Sequence, residues 1–305
     1  MKRILSVSLG ASSRDHVAEV EFLGQRCRLE RRGTDGDLAK ALELFRQNDG
    51  RVDAFGVGGT NIYQEIAGRR YYWKDSRPIR EAVRISKIGD GNGIKSVLAR
   101  KAVEALERHL QGDGRTLKSM PALITAAVDR YSMAEALDRA GCRMVIGDFM
   151  FALGLPLPMH SMRTLRFAAA LLMPVITRLP FRWFYSVGEK QEKEPEQRWN
   201  KYYEEAEVIA GDYLQIRDYM PRDLRGKIVV TNTTTRYDME ELARRGLSLL
   251  ATTTPRLEGR SFGTNVIEAA LLALIDKPQS EITREDLAEL IERIPIEPGI
   301  EKLNS

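Results

Sequence analysis

Cysteine and histidine are scarce in this chain of 305 residues, with Cys27 and Cys142 the only thiols and His16, His109 and His160 the only imidazoles. The two cysteines stand far apart with no partner motif, which reads as reduced, packed thiols and not as a disulfide or redox pair. The three histidines lack ligand spacing, so nothing supports a zinc site. Also missing are a Gly-x-Ser-x-Gly elbow and the Lys-Ser/Thr pair that would make a Walker A loop, which speaks against serine-nucleophile and P-loop chemistry. The longest apolar stretch, 167–177, is too short to span a bilayer. Nor does one sign of charge dominate: 47 Lys and Arg against 43 Asp and Glu leave a net charge of +4. No basic cluster is interleaved with aromatics, so a nucleic-acid partner is not expected. The start, MKRILSVSLG, reads as a first strand and not as a signal peptide, and a cytoplasmic protein is expected.

What is present describes a large globular core: 43% hydrophobic and 30% charged residues. The length predicts two lobes. The fold class expected is α/β: a smaller N-terminal α/β lobe over 1–88, a linking turn and helix over 89–118, and a Rossmann-like lobe over 119–278. That lobe is expected to be a parallel sheet with helices on both faces, a helical insertion at 150–205, and a C-terminal helix and tail at 279–305. In the first lobe, strands are expected at 4–9 and 52–57. Hairpins should turn at Gly24-Gln25 and around 67–69, and a helix after Thr34 or Asp35. The charged run RPIREAVRISK, 77–87, reads as the hinge region.

The stretch 227–274 shows the plan of the second lobe. An apolar, β-branched run at 228–230 suits a strand buried on both faces, and it passes at once into Thr231, Asn232, Thr233, Thr234 and Thr235. Helical spacing follows, stops at Gly246, and gives way to a second apolar run that ends in Thr252, Thr253 and Thr254. A right-handed strand–helix–strand crossover puts both Thr-rich ends on one edge of the sheet, the edge where open α/β folds bind ligands. The loop PRLEGRSFGTN then offers Arg256, Arg260 and Ser261 beside two glycines, with Thr264 or Asn265 capping the next helix. An anion or a substrate carboxylate suits that loop, and the alternative is an ordinary cap with two solvated arginines.

Other strand ends carry polar groups as well. After the strand at 122–128 come Asp129 and Ser132, and Asp148 follows the next strand, about where a ribose-binding acid stands in a dinucleotide fold. Asp212 follows another strand. Three carboxylates on one edge would suit Mg²⁺ or a polyhydroxylated ligand, the alternative being that each caps a helix. The turn IGDGNGIK sets Asp90 and Asn92 among three glycines ahead of a long helix starting at Ile94 or Lys95. It reads either as a helix-entry turn or as a device that orients a polar substrate. The proline-broken insertion reads as a lid or a homodimer contact, with docking on a membrane surface through Arg178, Phe181, Arg182, Trp183, Phe184 and Tyr185 as its rival.

The segments VSLG at 7–10, GDGNGIK at 89–95, VDRYSMAEAL at 128–137, GEKQEK at 188–193 and TTTPRLEGRSFGTN at 252–265 carry a resemblance over nearly the whole chain. It resembles bacterial proteins labelled quinate 5-dehydrogenase, themselves loosely similar to shikimate and quinate dehydrogenases. The resemblance implies oxidation of a cyclic polyhydroxy acid, with Asp90 and a lysine such as Lys95 relaying the proton. It also implies NAD or NADP lying along Asp129, Ser132, Asp148, Asn232, Thr233 and Thr234, and a small-molecule substrate near Asn92, Thr253, Arg256, Arg260, Ser261, Thr264 and Asn265. The departures are that this sequence has no Asn-Val-Thr-x-Pro-x-Lys motif and no Gly-Ala-Gly-Gly cofactor turn. Their absence favours the rival readings: a protein that binds a metabolite or nucleotide without hydride chemistry, or a Mg²⁺-dependent transferase or hydrolase.

Overall fold

The computed structural model describes residues 1–180, 197–254, 256–257, 260–261, 263–294 and 297–304, with the backbone alone at 197, 256–257 and 260–261. The first lobe is built on β1 (Lys2–Ser8), whose Ile4, Leu5 and Val7 are each no more than 3% exposed. Next come β2 (His16–Phe22), β3 (Gln25–Gly33), α1 (Leu38–Asn48), β4 (Ala54–Gly58), the hairpin of β5 (Tyr63–Ile66) and β6 (Arg69–Tyr72), α2 (Arg77–Ala82) and β7 (Lys87–Gly89). The sheet order is β2-β3-β1-β4-β7, parallel except for β2. Successive residues of β1 and β4 face opposite layers: Ile4 and Ala54 one core, Leu5, Val7, Phe55 and Val57 the other. The expected hairpins are there. The first turns one residue early, on Leu23-Gly24, both at positive φ. The expected hinge at 77–87 is instead α2 and the start of β7, and α1 is capped by Asp37, not by Thr34 or Asp35.

Helix α3 (Lys95–Gly112) carries the chain into the second lobe, with Leu98, Ala102, Leu106 and Leu110 recurring along one buried face. There follow β8 (Pro121–Ile124), α4 (Tyr131–Arg139), β9 (Arg143–Ile146), α5 (Asp148–Phe151), α6 (Met162–Ile176), α7 (Asn200–Glu205), β10 (Val208–Ala210), α8 (Tyr213–Tyr219), β11 (Ile228–Thr231), α9 (Arg236–Arg244) and β12 (Leu249–Thr252). Alternate strand residues again face opposite layers: Ile124, Ala210 and Val230 one core, Leu123, Ile209 and Val229 the other. The fold is thus the expected two-lobed α/β arrangement with parallel sheets. The strand order, β12-β11-β10-β8-β9, is 2-1-3-4-5 when counted within the lobe, the flavodoxin-like winding and not the Rossmann-like one.

Beyond β12, the short pair β13 (Arg256–Leu257) and β14 (Arg260–Ser261) leads to α10 (Thr264–Leu274), α11 (Arg284–Arg293) and β15 (Gly299–Lys302). Helix α10 is apolar all round, buried from Val266 to Ala273, and packs on β1, β4 and β7. It therefore belongs to the first lobe, although the sequence pattern placed 264–278 with the second. β15 returns to pair antiparallel with β12. The chain passes from the first lobe to the second at 90–94, returns between β12 and α10, and crosses again between α11 and β15. The expected insertion contains α5, an α6 that continues through Pro174, and α7. Phe181, Arg182, Trp183, Phe184 and Tyr185 lie outside the described residues. No helix among the described residues is long and apolar enough to cross a membrane.

Candidate functional site between the lobes

In a doubly wound sheet, neighbouring strands whose crossovers leave toward opposite faces open a crevice at their carboxyl ends. In the second lobe those strands are β8 and β10, whose following helices α4 and α8 pack on opposite faces of the sheet. Residues that follow β4 in the first lobe reach this edge. Asn61, just after β4, donates from Nδ2 to Asp129 Oδ1 at 3.0 Å, and Gln64 Nε2 donates to the same oxygen at 2.9 Å. Arg130, in the turn after β8, pairs with Asp129 at 3.2 Å and with Asp212, which follows β10. Asn232, after β11, donates to Asp212 Oδ2 at 2.9 Å, and Lys95 Nζ donates to Asn61 Oδ1 at 3.3 Å.

Beside this network runs a narrow cleft lined by Lys95, Arg130, Ser132, Asn232, Thr253 and Thr264. Two cations, Lys95 and Arg130, are balanced by two carboxylates, Asp129 and Asp212. Burial lowers the pKa of Lys95, and Arg130 adds to that, against the pull of Asp129. Burial alone would raise Asp129, but Arg130, Lys95 and the two amides hold it below the ordinary carboxylate range. Within this network of four charged groups the signs balance, and Asp90 and Glu268 add a weaker pull on Lys95.

The expected site residues divide. Lys95, Ser132, Asn232, Thr253 and Thr264 line the cleft, and Asp129 stands in its wall. Asp90 is committed to its own turn, its oxygens accepting from the backbone of Ile62 at 2.6 Å and from Asn92 at 3.0 and 2.7 Å. Asn92 also donates to the Tyr63 carbonyl at 2.7 Å. The glycines around them hold an internal anion: Gly91 and Gly93 N–H groups donate to the carboxylate of Glu268 on α10. Burial, with Asp90 adding to it, pushes Glu268 well above the usual carboxylate range.

Asp148 accepts from the N–H groups of Ala127 and Val128 at 3.0 and 2.8 Å, closing the turn after β8 behind the cleft. Thr233 and Thr234 do not line the cleft, and the Thr234 hydroxyl is buried with no hydrogen-bond partner among the described residues. Asn265 reaches Ser6 Oγ at 2.8 Å, and neither it nor Thr264 caps α10, whose N-cap is Gly263. The side chains of Arg256, Arg260 and Ser261 lie outside the described residues. Asp129 and Asp212 share Arg130 while Asp148 accepts from backbone N–H groups, and among the described residues no group of three or more His, Cys, Asp or Glu could hold a metal ion.

Asn61, Gln64, Arg130 and Glu268 were not singled out from the sequence. The only signals for them were the polar run at the end of β4 and the position of Arg130 beside Asp129. Nothing local marks a glutamate inside an apolar helix as the ligand of a distant glycine turn.

A family model described as a domain of unknown function, DUF8754, matches residues 93–303, and a second, DUF8753, matches 3–90. Their junction falls in the glycine turn that begins α3. No curated protein matches the chain. Solved structures similar to it include a galactofuranose binding protein, at 9% identity and TM-score 0.38 over 99% of this chain and 95% of that one. Another is the periplasmic binding component of the arabinose ABC transporter from Shewanella sp. ANA-3, at 12% identity and TM-score 0.35 over 96% and 95%. A third is GanP, a glucose-galactose binding protein from Geobacillus stearothermophilus, at 10% identity and TM-score 0.39 over 99% and 97%. The expected kinship with shikimate and quinate dehydrogenases is corrected by the family models, which place the chain in domains of unknown function and not among those dehydrogenases. The oxidoreductase reading falls with it, and Asp90, its expected proton relay, is occupied by backbone and Asn92 donors.

Proposed function

We propose that this chain, which belongs to the DUF8754 family of domains of unknown function, binds a neutral, polyhydroxylated small molecule between its two lobes without hydride chemistry. The observation that carries the reading is the charge-balanced network of Lys95, Asp129, Arg130 and Asp212 beside the cleft. A hydroxyl both donates and accepts, so adjacent hydroxyls suit planar groups that offer paired donors or paired acceptors: guanidinium, carboxylate and carboxamide. Such groups stand here as Arg130, Asp212 and Asn232. With two cations already matched by two carboxylates, a ligand of either net charge would meet as much repulsion as attraction.

Because the Asn61 and Gln64 bonds to Asp129 span both lobes, ligand binding and lobe closure share one network. A ligand that binds only the native state raises the melting temperature by mass action. Thermal unfolding of the full chain against neutral monosaccharides and cyclitols, with uronic acids and amino sugars of the same ring size as controls, tests the proposal. A saturable rise with a neutral member, absent with its charged counterparts, is expected. A response only to charged members, or to none at millimolar concentration, contradicts it.

A further inference from the structure

On the other side of the Asp129–Arg130 turn from the polar cleft, a hollow lies beneath α6. Its walls are carbon-rich: Met159, Leu165, Ala169 and Met173, all no more than 5% exposed, together with Phe149. Trp73 closes it from the first lobe. The backbone around Trp73 is tied to both sides of the gap. Its own N–H donates to the Ile62 carbonyl at 3.1 Å, and the Lys74 N–H donates to the Thr177 carbonyl, just past the end of α6, at 2.9 Å. The room inside it for a water-sized molecule, about 80 Å³, is several times what one water needs, and mostly apolar walls suit the body of a small organic ligand.

The polar groups that reach this hollow include Asp129, Gln215 and Asp148. Asp129 already faces Arg130 and two amides. Gln215 is held through Oε1 by the Thr125 hydroxyl at 3.2 Å. Asp148 differs from both, because its oxygens accept only backbone N–H groups and it forms no ion pair among the described residues. An ionised carboxylate has about four lone-pair directions, so two bonds leave it room to accept more. Burial pushes this carboxyl up to about 6, as expected of an acid with no counter-charge in apolar surroundings.

We propose that the hollow is a second binding site, for a small molecule with an apolar body and a single ammonium group, the ammonium on Asp148 and the body against Trp73 and α6. A cation there supplies the counter-charge that the described residues do not. A neutral alcohol can donate a hydrogen bond to Asp148 but leaves its charge unmatched. A carboxylate is repelled. Asp129 borders both sites, but the ammonium is assigned to Asp148, which is not part of the polar network, so this proposal stands or falls independently of the proposed function.

The test is calorimetric titration of the full chain with n-hexylamine, n-hexanol and n-hexanoate. Saturable hexylamine binding is expected, at least about tenfold tighter than hexanol, with no hexanoate binding, since a hydrogen bond to a charged group contributes about that ratio or more. Asp148→Asn should remove the preference for amine over alcohol. Ala168→Trp, which fills the hollow from α6, should weaken hexylamine by about tenfold or more, the apolar contact and the ion pair being lost together. Hexanol binding as tightly as hexylamine, no saturable hexylamine binding, or equal hexylamine affinity in wild type and Ala168→Trp would each overturn the proposal. If Asp148→Asn fails to fold, the amine-to-alcohol ratio and the Ala168→Trp protein still decide it.

Discussion

Asn61 and Asp129 meet across the gap between the lobes, Nδ2 of one donating to Oδ1 of the other at 3.0 Å, although each follows a strand of a different sheet. Gln64 reaches the same oxygen. A buried carboxylate is thus partly satisfied by neutral donors from the opposite lobe, and losing either donor uncovers desolvated charge. Asn61→Ala and Gln64→Ala should each cost about 1–3 kcal/mol in urea unfolding. A cycle of Asn61→Ala with Asp129→Asn should be non-additive by at least about 0.5 kcal/mol. Additivity would mean that the bond does not hold the lobes together.

The glycine turn at the start of α3 makes a prediction about space. A Cβ on Gly93 would overlap the Glu268 carboxylate and lie 2.9 Å from Leu287 Cδ1, whereas one on Gly112, at the far end of the same helix, meets nothing within 4 Å. Gly93→Ala should therefore destabilise by roughly 1–3 kcal/mol. Gly112→Ala should stabilise by about 0.5–1 kcal/mol, because alanine has less chain entropy to lose. Denaturant midpoints of the two proteins check the contrast, and similar midpoints would contradict it.

Two hairpin turns place side chains where glycine or asparagine is preferred: Leu23 at φ 51° before Gly24, and Ala67 at φ 51° before Gly68. Positive φ at both central residues is the mirror-image turn that matches strand twist. Leu23→Asn and Ala67→Asn are expected to raise stability by a few tenths to about 1 kcal/mol each. A fall in melting temperature for both would show that the leucine and alanine side chains contribute contacts which outweigh the strain.

How stability varies with pH should reflect Asp148. Its pKa in the folded chain is about 6, raised chiefly by burial, against an ordinary 3.8. The folded state holds this proton more tightly than the unfolded one. The favourable contribution is therefore complete below about pH 3.8 and is lost as pH rises through about 6. Relative to wild type, Asp148→Asn should gain stability between pH 4.5 and pH 7.5, by up to about 2–3 kcal/mol. A difference independent of pH would mean that Asp148 titrates normally.

Much of the second lobe was legible because its strands are short apolar runs that end in polar residues, a pattern that survives without any knowledge of neighbours. Its winding was not, since a strand sequence does not say which strand lies beside it. The lobe assignment of α10 was hidden for a related reason: with every residue from Val266 to Ala273 buried, no polar face points away from a particular sheet. Asp148 stood at the position of a ribose-binding acid, but the turn after β8 leaves two amides in need of an acceptor, and it supplies one. Asp129, Asp212 and Asn232 were recognisable as strand-end groups. Their pairing through Arg130, and with Asn61 and Gln64, joins residues too distant in sequence for any spacing rule to connect.

Equilibrium calorimetry of the full chain with the neutral sugar or cyclitol that most raises its melting temperature tests the central claim most directly, with Asn232→Ala and Arg130→Lys proteins alongside. Saturable one-site binding to wild type is predicted, weakened at least about tenfold in both variants, because each loses a paired donor or acceptor. Binding of unchanged affinity in both variants, or no saturable heat from any neutral polyhydroxylated compound at millimolar concentration, would contradict it.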